Sequence, residues 1–233
     1  MCTAIIIPAY NEAENIVRLI KQLRRYLPYS DLYVIDGNSV DETTQIVKNI
    51  AKKDRRVFLL EQKRKLGRGH AVLMGFKKAL TLKNIEYLIE LDADLSHQPK
   101  DVLSIIRAAN SHTVIIASRY IMGAKIINWP AWRRRQSYWA NWLIRLVLGL
   151  KLHDNTNGLR CYPREAAQRL VKHRYLSQGF MALSESAYLL KHAGFALSEI
   201  PSTFVDRRYG KSSAGYKELF NSLLNLFQIR IHS

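Results

Sequence analysis

Cysteine is scarce. Cys2 and Cys161 are the two in 233 residues, and they have neither metal-ligand spacing nor the density of a disulfide framework. A reducing compartment is therefore the default expectation. Six prolines and 11 glycines are too few for a collagen-like or low-complexity chain, and a hydrophobic share of 48% is too high for a disordered one. No run reaches the roughly 18 consecutive apolar residues of a membrane-spanning helix. The nearest approach, Trp139–Leu150, is interrupted by Asn141 and Arg145. The start lacks a cationic segment followed by a long apolar run, so no signal peptide is expected. Acidic residues are also short, 19 against 36 Lys and Arg, giving a net charge of +17. Such a field attracts polyanions, whether nucleic acid, an anionic membrane face or phosphorylated small molecules, or it belongs to a merely soluble basic protein. Charge alone does not choose.

What is present is alternation. Ala4–Pro8, Leu32–Ile35, Val57–Leu60, Tyr87–Leu91 and Thr113–Ala117 are short runs rich in Ile, Val, Leu and Tyr. Continuous apolarity suits strands covered on both faces. Between the first two, Ile16, Leu19, Ile20, Leu23 and Leu27 recur at helical spacing, with Asn11 and Glu14 placed as an N-terminal cap. Helical patterns also fill Thr43–Lys53, Gly69–Leu82 and Pro99–Ala109. The expectation is an α/β fold, a Rossmann-like, mostly parallel sheet flanked by helices, in one domain spanning 1–233. Residues 123–233 form its peripheral part, and Tyr216–Ile229 reads as an amphipathic C-terminal helix through Leu219, Phe220, Leu223, Leu224 and Phe227.

Ligands of such sheets bind beyond the carboxyl ends of the strands. The fourth strand ends in Asp92-Ala93-Asp94, two carboxylates able to reach one Mg2+ or Mn2+ ion, or else an acidic turn capped by Asp94 or Ser96. The first ends in Pro8-Ala9-Tyr10-Asn11-Glu12, with an aromatic face for a base or ribose and a carboxylate for hydroxyl donors. The second ends in Ile35-Asp36-Gly37-Asn38-Ser39, where Asp36 or Asn38 could bond a ribose or base, or Ser39 or Asp41 could cap a helix. After the third comes the basic loop Lys63–His70, whose cations and backbone N–H groups suit phosphate.

The ordered set Ile5–Glu12, Ile35–Thr43 and Asp92-Ala93-Asp94 resembles the inverting nucleotide-sugar glycosyltransferases of GT-A fold. Leu66–Gly69, Asp94–Pro99, Ala117–Tyr120, Asn128-Trp129-Pro130 and Phe204–Ser212 resemble their dolichol-phosphate mannosyltransferase branch. The resemblance implies a donor, GDP-mannose first, held by Pro8, Tyr10, Glu12, Ile35, Asp36, Gly37, Asp92, Ala93, Asp94 and Arg119. It implies a metal on Asp92 and Asp94, with Ser96 where relatives place a Gln ligand. It implies a polyprenyl phosphate gripped by Arg119, Arg133 and Arg207, with Asp92, Asp94 and Arg207 as the catalytic set and Asp154 near the sugar or acceptor. Two departures stand out. The second motif carries Gly37 where the branch has a base-reading Asp, which opens a UDP-hexose alternative, and Ser213 stands where a lysine closes the last motif, with Lys211 nearby.

Lys125, Arg133, Arg134 and Arg135 interleave with Trp129, Trp132, Tyr138, Trp139 and Trp142. Tryptophan and arginine suit a membrane surface, so the enzyme is expected in the cytoplasm, peripheral on the cytosolic face of a membrane, with a small transmembrane anchoring subunit as a further partner. A solvated cationic cap on a core helix is the plainer reading of the same residues. No nucleic-acid partner is expected, since no recognised binding motif occurs. His97 is expected to support its turn, Glu185 to be solvated or capping, and a non-catalytic basic module remains the alternative of another class.

Overall fold

The protein is described here by a computed structural model covering residues 2–177, 181–206 and 226–231. The five expected strands form β1 (Thr3–Ala9), β2 (Asp31–Asp36), β3 (Val57–Glu61), β4 (Tyr87–Glu90) and β5 (Thr113–Ser118). Between and after them lie α1 (Ala13–Tyr26), α2 (Thr43–Ala51), α3 (Arg68–Ala79) and α4 (Pro99–Arg107). The second half adds β6 (Lys125–Ile127), α5 (Ala131–Leu148), β7 (Arg160–Pro163), α6 (Arg164–Lys172), α7 (Met181–His192), β8 (Ala196–Pro201) and β9 (Thr203–Val205). A helical segment at 226–231 returns Leu226 and Ile229 to the core.

The main sheet has the order β3-β2-β1-β4-β7-β5-β8. Every pairing is parallel except those of β7, which runs antiparallel between β4 and β5. Successive residues of β1 face opposite sides, yet all are apolar because both sides are covered. Ala4 and Ile6 join one core with α3, α6 and α7, while Ile5 and Ile7 join another with α1 and α4. Each such fully buried Ile contributes about 1.5–3 kcal/mol over exposure, enough to fix the register of the strand. β6 and β9 pair in parallel as a small second sheet beside the ends of β4 and β5.

The expected Asn11 cap is corrected. Asn11 adopts a left-handed φ of 56°, Glu12 is the residue preceding α1, and no side-chain cap bond forms there. Asn11 Oδ1 instead accepts from the Val40 N–H at 3.0 Å, because the neighbouring strand end offers an unpaired donor.

Candidate active site

The ends of β1 and β2 are laced together. Asn11 N donates to Ser39 Oγ at 2.9 Å, Glu12 N to Thr43 Oγ1 at 2.8 Å, Ala13 N to Asp41 Oδ2 at 3.1 Å and Gly37 N to the Ala9 carbonyl at 2.8 Å. Pro8 sits opposite Ile35 in the register. Ile35 is wholly buried in the core, so only its backbone can meet a ligand. Asp36 is buried too, and its two oxygens accept from Ser39 N at 3.0 Å and Ser39 Oγ at 2.5 Å, which holds the turn. A Cβ on Gly37 would stand 3.3 Å from the Ala9 carbonyl and 3.5 Å from Tyr10 Cδ2, so this position is snug. Tyr10 is exposed, with Lys65 Nζ 3.6 Å above its ring centroid. Glu12 Oε2 accepts from Asn15 Nδ2 at 2.7 Å.

At the end of β4, Asp92 meets Arg68 from the first turn of α3. Arg68 Nε and Nη2 donate to Asp92 Oδ1 at 2.8 and 2.7 Å, and Nη1 donates to Glu90 Oε1. Glu90 Oε2 also accepts from the Tyr162 hydroxyl at 2.9 Å. His97 Nε2 stands 3.4 Å from Asp92 Oδ2. Burial pushes the Asp92 carboxyl up, but the charges of Arg68 and His97 override it and hold it well below the usual carboxylate range. Asp94 Oδ1 accepts from Ser96 N at 3.0 Å, closing the turn, and Ala93 is buried between the two acids. Ser96 is buried, and its carbonyl accepts from Val205 N of β9 at 3.0 Å. The expectation that His97 supports the turn matches a buried ring lying edge-on to Phe204, with Nδ1 lacking a hydrogen-bond partner.

At the end of β5, Arg119 is buried and clamped by Asp154. Its Nε and Nη2 donate to the two carboxylate oxygens at 2.7 Å each, and Nη2 also reaches Thr156 Oγ1 at 2.7 Å. Its Cζ lies 5.1, 5.3 and 5.5 Å from the ring centroids of Trp129, Phe204 and Tyr120. Burial raises the Asp154 carboxyl, and the Arg119 guanidinium more than offsets it, leaving it below its ordinary value. Asp154, expected near sugar or acceptor, is fully buried as the anchor of Arg119. Arg133 Nη1 lies 3.4 Å from both Asp206 oxygens, beside the Trp129 ring.

Most of the basic and aromatic residues of 125–142 occupy α5, which begins at Ala131. Asn141, Ile144 and Leu148 turn inward, while Trp132 (62% exposed), Trp139 (62%) and Leu146 (66%) face out with Tyr138 and Trp142. Among the described residues no helix is long and apolar enough to cross a membrane. Arg207, Ser213, Lys211 and most of the amphipathic segment 216–229 lie outside the described residues.

Two assignments made from sequence are revised. Glu185 is not solvated: it is 1% exposed and accepts from Leu176 N and Ser177 N at 2.8 Å each, with His173 Nε2 3.1 Å away. Arg68, grouped with phosphate-facing cations, is engaged by carboxylates. Arg160 was not singled out, yet it is fully buried and donates to the carbonyls of Asn155, Asn157 and Leu183, so it shapes the segment that carries Asp154 and Gly158.

A parallel-rich sheet covered on both faces, with paired carboxylates at one central strand end and a caged arginine at the next, defines a GT-A glycosyltransferase. The chain belongs to glycosyl transferase family 2, whose sequence profile matches residues 4–171. It is 33% identical over 207 residues to an undecaprenyl-phosphate mannosyltransferase of Micrococcus luteus, covering 89% of this chain and 85% of the relative. It is 34% identical over 213 residues to a polyprenol monophosphomannose synthase of Mycolicibacterium smegmatis, covering 90% and 80%. These relatives bear out the kinship with the dolichol-phosphate mannosyltransferase branch. The fold is also that of Mycobacterium tuberculosis glucosyl-3-phosphoglycerate synthase, solved with Mn2+, UDP and phosphoglyceric acid. That match has 16% identity and a TM-score of 0.67, over 98% of this chain and 78% of that one.

Proposed function

We propose that the enzyme transfers mannose from GDP-mannose to a polyprenyl phosphate with inversion, assisted by Mg2+ or Mn2+, at a membrane surface. The observation that carries this reading is the placement of Asp92 and Asp94 just past β4, with β7 between them and the caged Arg119 at the end of β5. The donor set fits a hard divalent ion, because carboxylate oxygens on one turn suit Mg2+ and Mn2+. Among the described residues no three His, Cys, Asp or Glu side chains gather into a metal cage, so the ion would share diphosphate and water oxygens. When bound, it neutralises charge on the departing diphosphate.

The remaining chemistry belongs to the chain. A phosphate acceptor is already anionic at neutral pH, so no general base is required, and catalysis reduces to positioning and charge stabilisation. Residues 1–122 hold the donor, with Tyr10, Glu12 and the laced turn around Gly37 shaping the nucleoside end. Residues 123–233 serve the acceptor, with Arg133, Arg207 and Ser213, joined by Arg119 from the end of β5, at the lipid phosphate. The names of the two mannosyltransferase relatives support sugar and acceptor together. The exposed Trp132, Trp139 and Trp142, beside Arg134 and Arg135, support peripheral docking on an anionic cytosolic leaflet, with or without a small transmembrane partner.

A second donor, a UDP-hexose, is favoured by one feature: Gly37 presents no carboxylate to a guanine. The deciding experiment measures metal-dependent release of GDP or UDP from matched sugar donors with a short polyprenyl phosphate. GDP release from GDP-mannose, abolished by Asp94→Ala, is expected. Turnover of UDP-hexoses alone would transfer the assignment to the second donor, and no turnover of either would refute it.

A further inference from the structure

The arginine on Asp92 raises a question of metal chemistry. Arg68 Nε and Nη2 both donate to the same oxygen, Asp92 Oδ1. Its third nitrogen is tied to Glu90, which Tyr162 holds from the other side. The guanidinium is therefore a clamped fork rather than a mobile cation; its side chain is 13% exposed. The second oxygen, Oδ2, looks toward His97 Nε2 and Gly158. Gly158 has no room for a side chain, since a Cβ there would collide with both Asp92 Oδ2 and Arg68 Nη2. One face of Asp92 is spent on Arg68 and the other is kept narrow.

Building on the reading that Asp92 and Asp94 hold a divalent ion, we infer that Arg68 sets the metal selectivity of this site by restricting Asp92 to ligation through one oxygen. Magnesium takes single oxygens at about 2.0–2.1 Å in a strict octahedron and keeps several waters. Manganese likewise suits six oxygen ligands in an octahedron. Calcium is larger, takes 6–8 oxygens and readily uses both oxygens of a carboxylate. With Oδ1 occupied by two N–H groups, that bidentate option is closed at Asp92. The fixed guanidinium charge also opposes a dication, so the site favours an ion that brings its own diphosphate oxygens. Arg68 is a positioning residue here: it acts through Asp92 and touches no reacting atom.

The test uses the full chain at saturating GDP, and in parallel UDP, and reads the midpoint concentrations of Mn2+ and Ca2+ from calorimetry and thermal shift. Complexation of metal by free nucleotide is common to all variants and cancels in the comparison. Wild type is expected to prefer Mn2+ by about tenfold or more. Arg68→Met combined with Glu90→Gln, which removes the fork and the carboxylate it would strand, should bring that preference below about threefold by tightening Ca2+. Arg68→Lys, a point charge without the fork, should fall between them, and it decides the matter alone if the double variant does not fold. An unchanged preference in either folded variant, or none in wild type, overturns the inference. Mn2+ binding that survives Asp92→Ala and Asp94→Ala together would instead overturn the metal site itself, a separate outcome.

Discussion

Two arginines, both largely buried, meet carboxylates at the ends of β4 and β5, with β7 between them, and they are partnered differently. Arg68 is shared by two acids, Glu90 and Asp92, with Asp94 two residues on, so the end of β4 keeps a surplus of negative charge. Arg119 has one acid, Asp154, and three aromatic rings around it. Its Nη1 makes no hydrogen bond to the described residues. Unit charges about 4 Å apart interact by about 4 kcal/mol at the effective dielectric of a protein surface. Two acids per arginine at one strand end and one at the other therefore leave the two ends with different net charge.

The largest expected effect breaks the acidic end. Asp94→Ala should lower transfer by about 10²–10³-fold, the scale of losing one preorganised electrostatic group, while the urea midpoint moves little. Steady-state release of nucleoside diphosphate measures it, and near-normal activity would deny Asp94 its role. The next breaks the one-to-one end. Arg119→Ala strands Asp154 in the interior and should cost about 3–5 kcal/mol in urea unfolding. Since the folded-state pKa of Asp154 is lowered, the stability from this pair is fully present above the ordinary carboxylate pKa, about 3.9, and is lost as pH falls below that value and through the lower folded-state one. The gap between wild type and Asp154→Asn should accordingly narrow below about pH 4; a constant gap would mean the pair is not what separates them. Gly158→Ala pushes into the Arg68–Asp92 contact and should cost about 1–3 kcal/mol, measured as a lowered melting temperature. Smallest in stability is Trp139→Ala combined with Trp142→Ala, expected within about 0.5 kcal/mol of wild type because both rings are exposed. Its effect should appear in sedimentation with anionic liposomes, where retained binding would remove α5 from the membrane face.

The first five strands were legible because burial on both faces leaves an unbroken apolar run, which local composition records. β7 was not legible. It is four residues long and opens with Arg160, whose charge is satisfied by three carbonyls that no window around it reveals. Asp92 and Asp94 could be read only as a candidate metal pair, through their place among the strand ends rather than their spacing alone, and Arg68 could be read as a cation. Its partner could not: Arg68 reaches Asp92 and Glu90 across 24 and 22 positions, and only the closed fold converts a phosphate-facing expectation into an ion pair. Glu185 fails to read for the same reason, since the N–H groups that justify its burial come from the preceding loop.

The reversed direction of β7 has a consequence for how this protein can change. A strand running against its neighbours begins where they end, so the short peptide from Asp154 to Gly158 is delivered between Arg68 and Arg119. Asp154 grips one guanidinium and the Gly158 carbonyl, 3.4 Å from Arg68 Nη2, borders the other. These five residues thus border both guanidinium groups at once. A one-residue insertion there would displace the Asp154–Arg119 and Gly158–Arg68 contacts together. The spacing between the two guanidinium groups is thereby tied to the length of this one peptide.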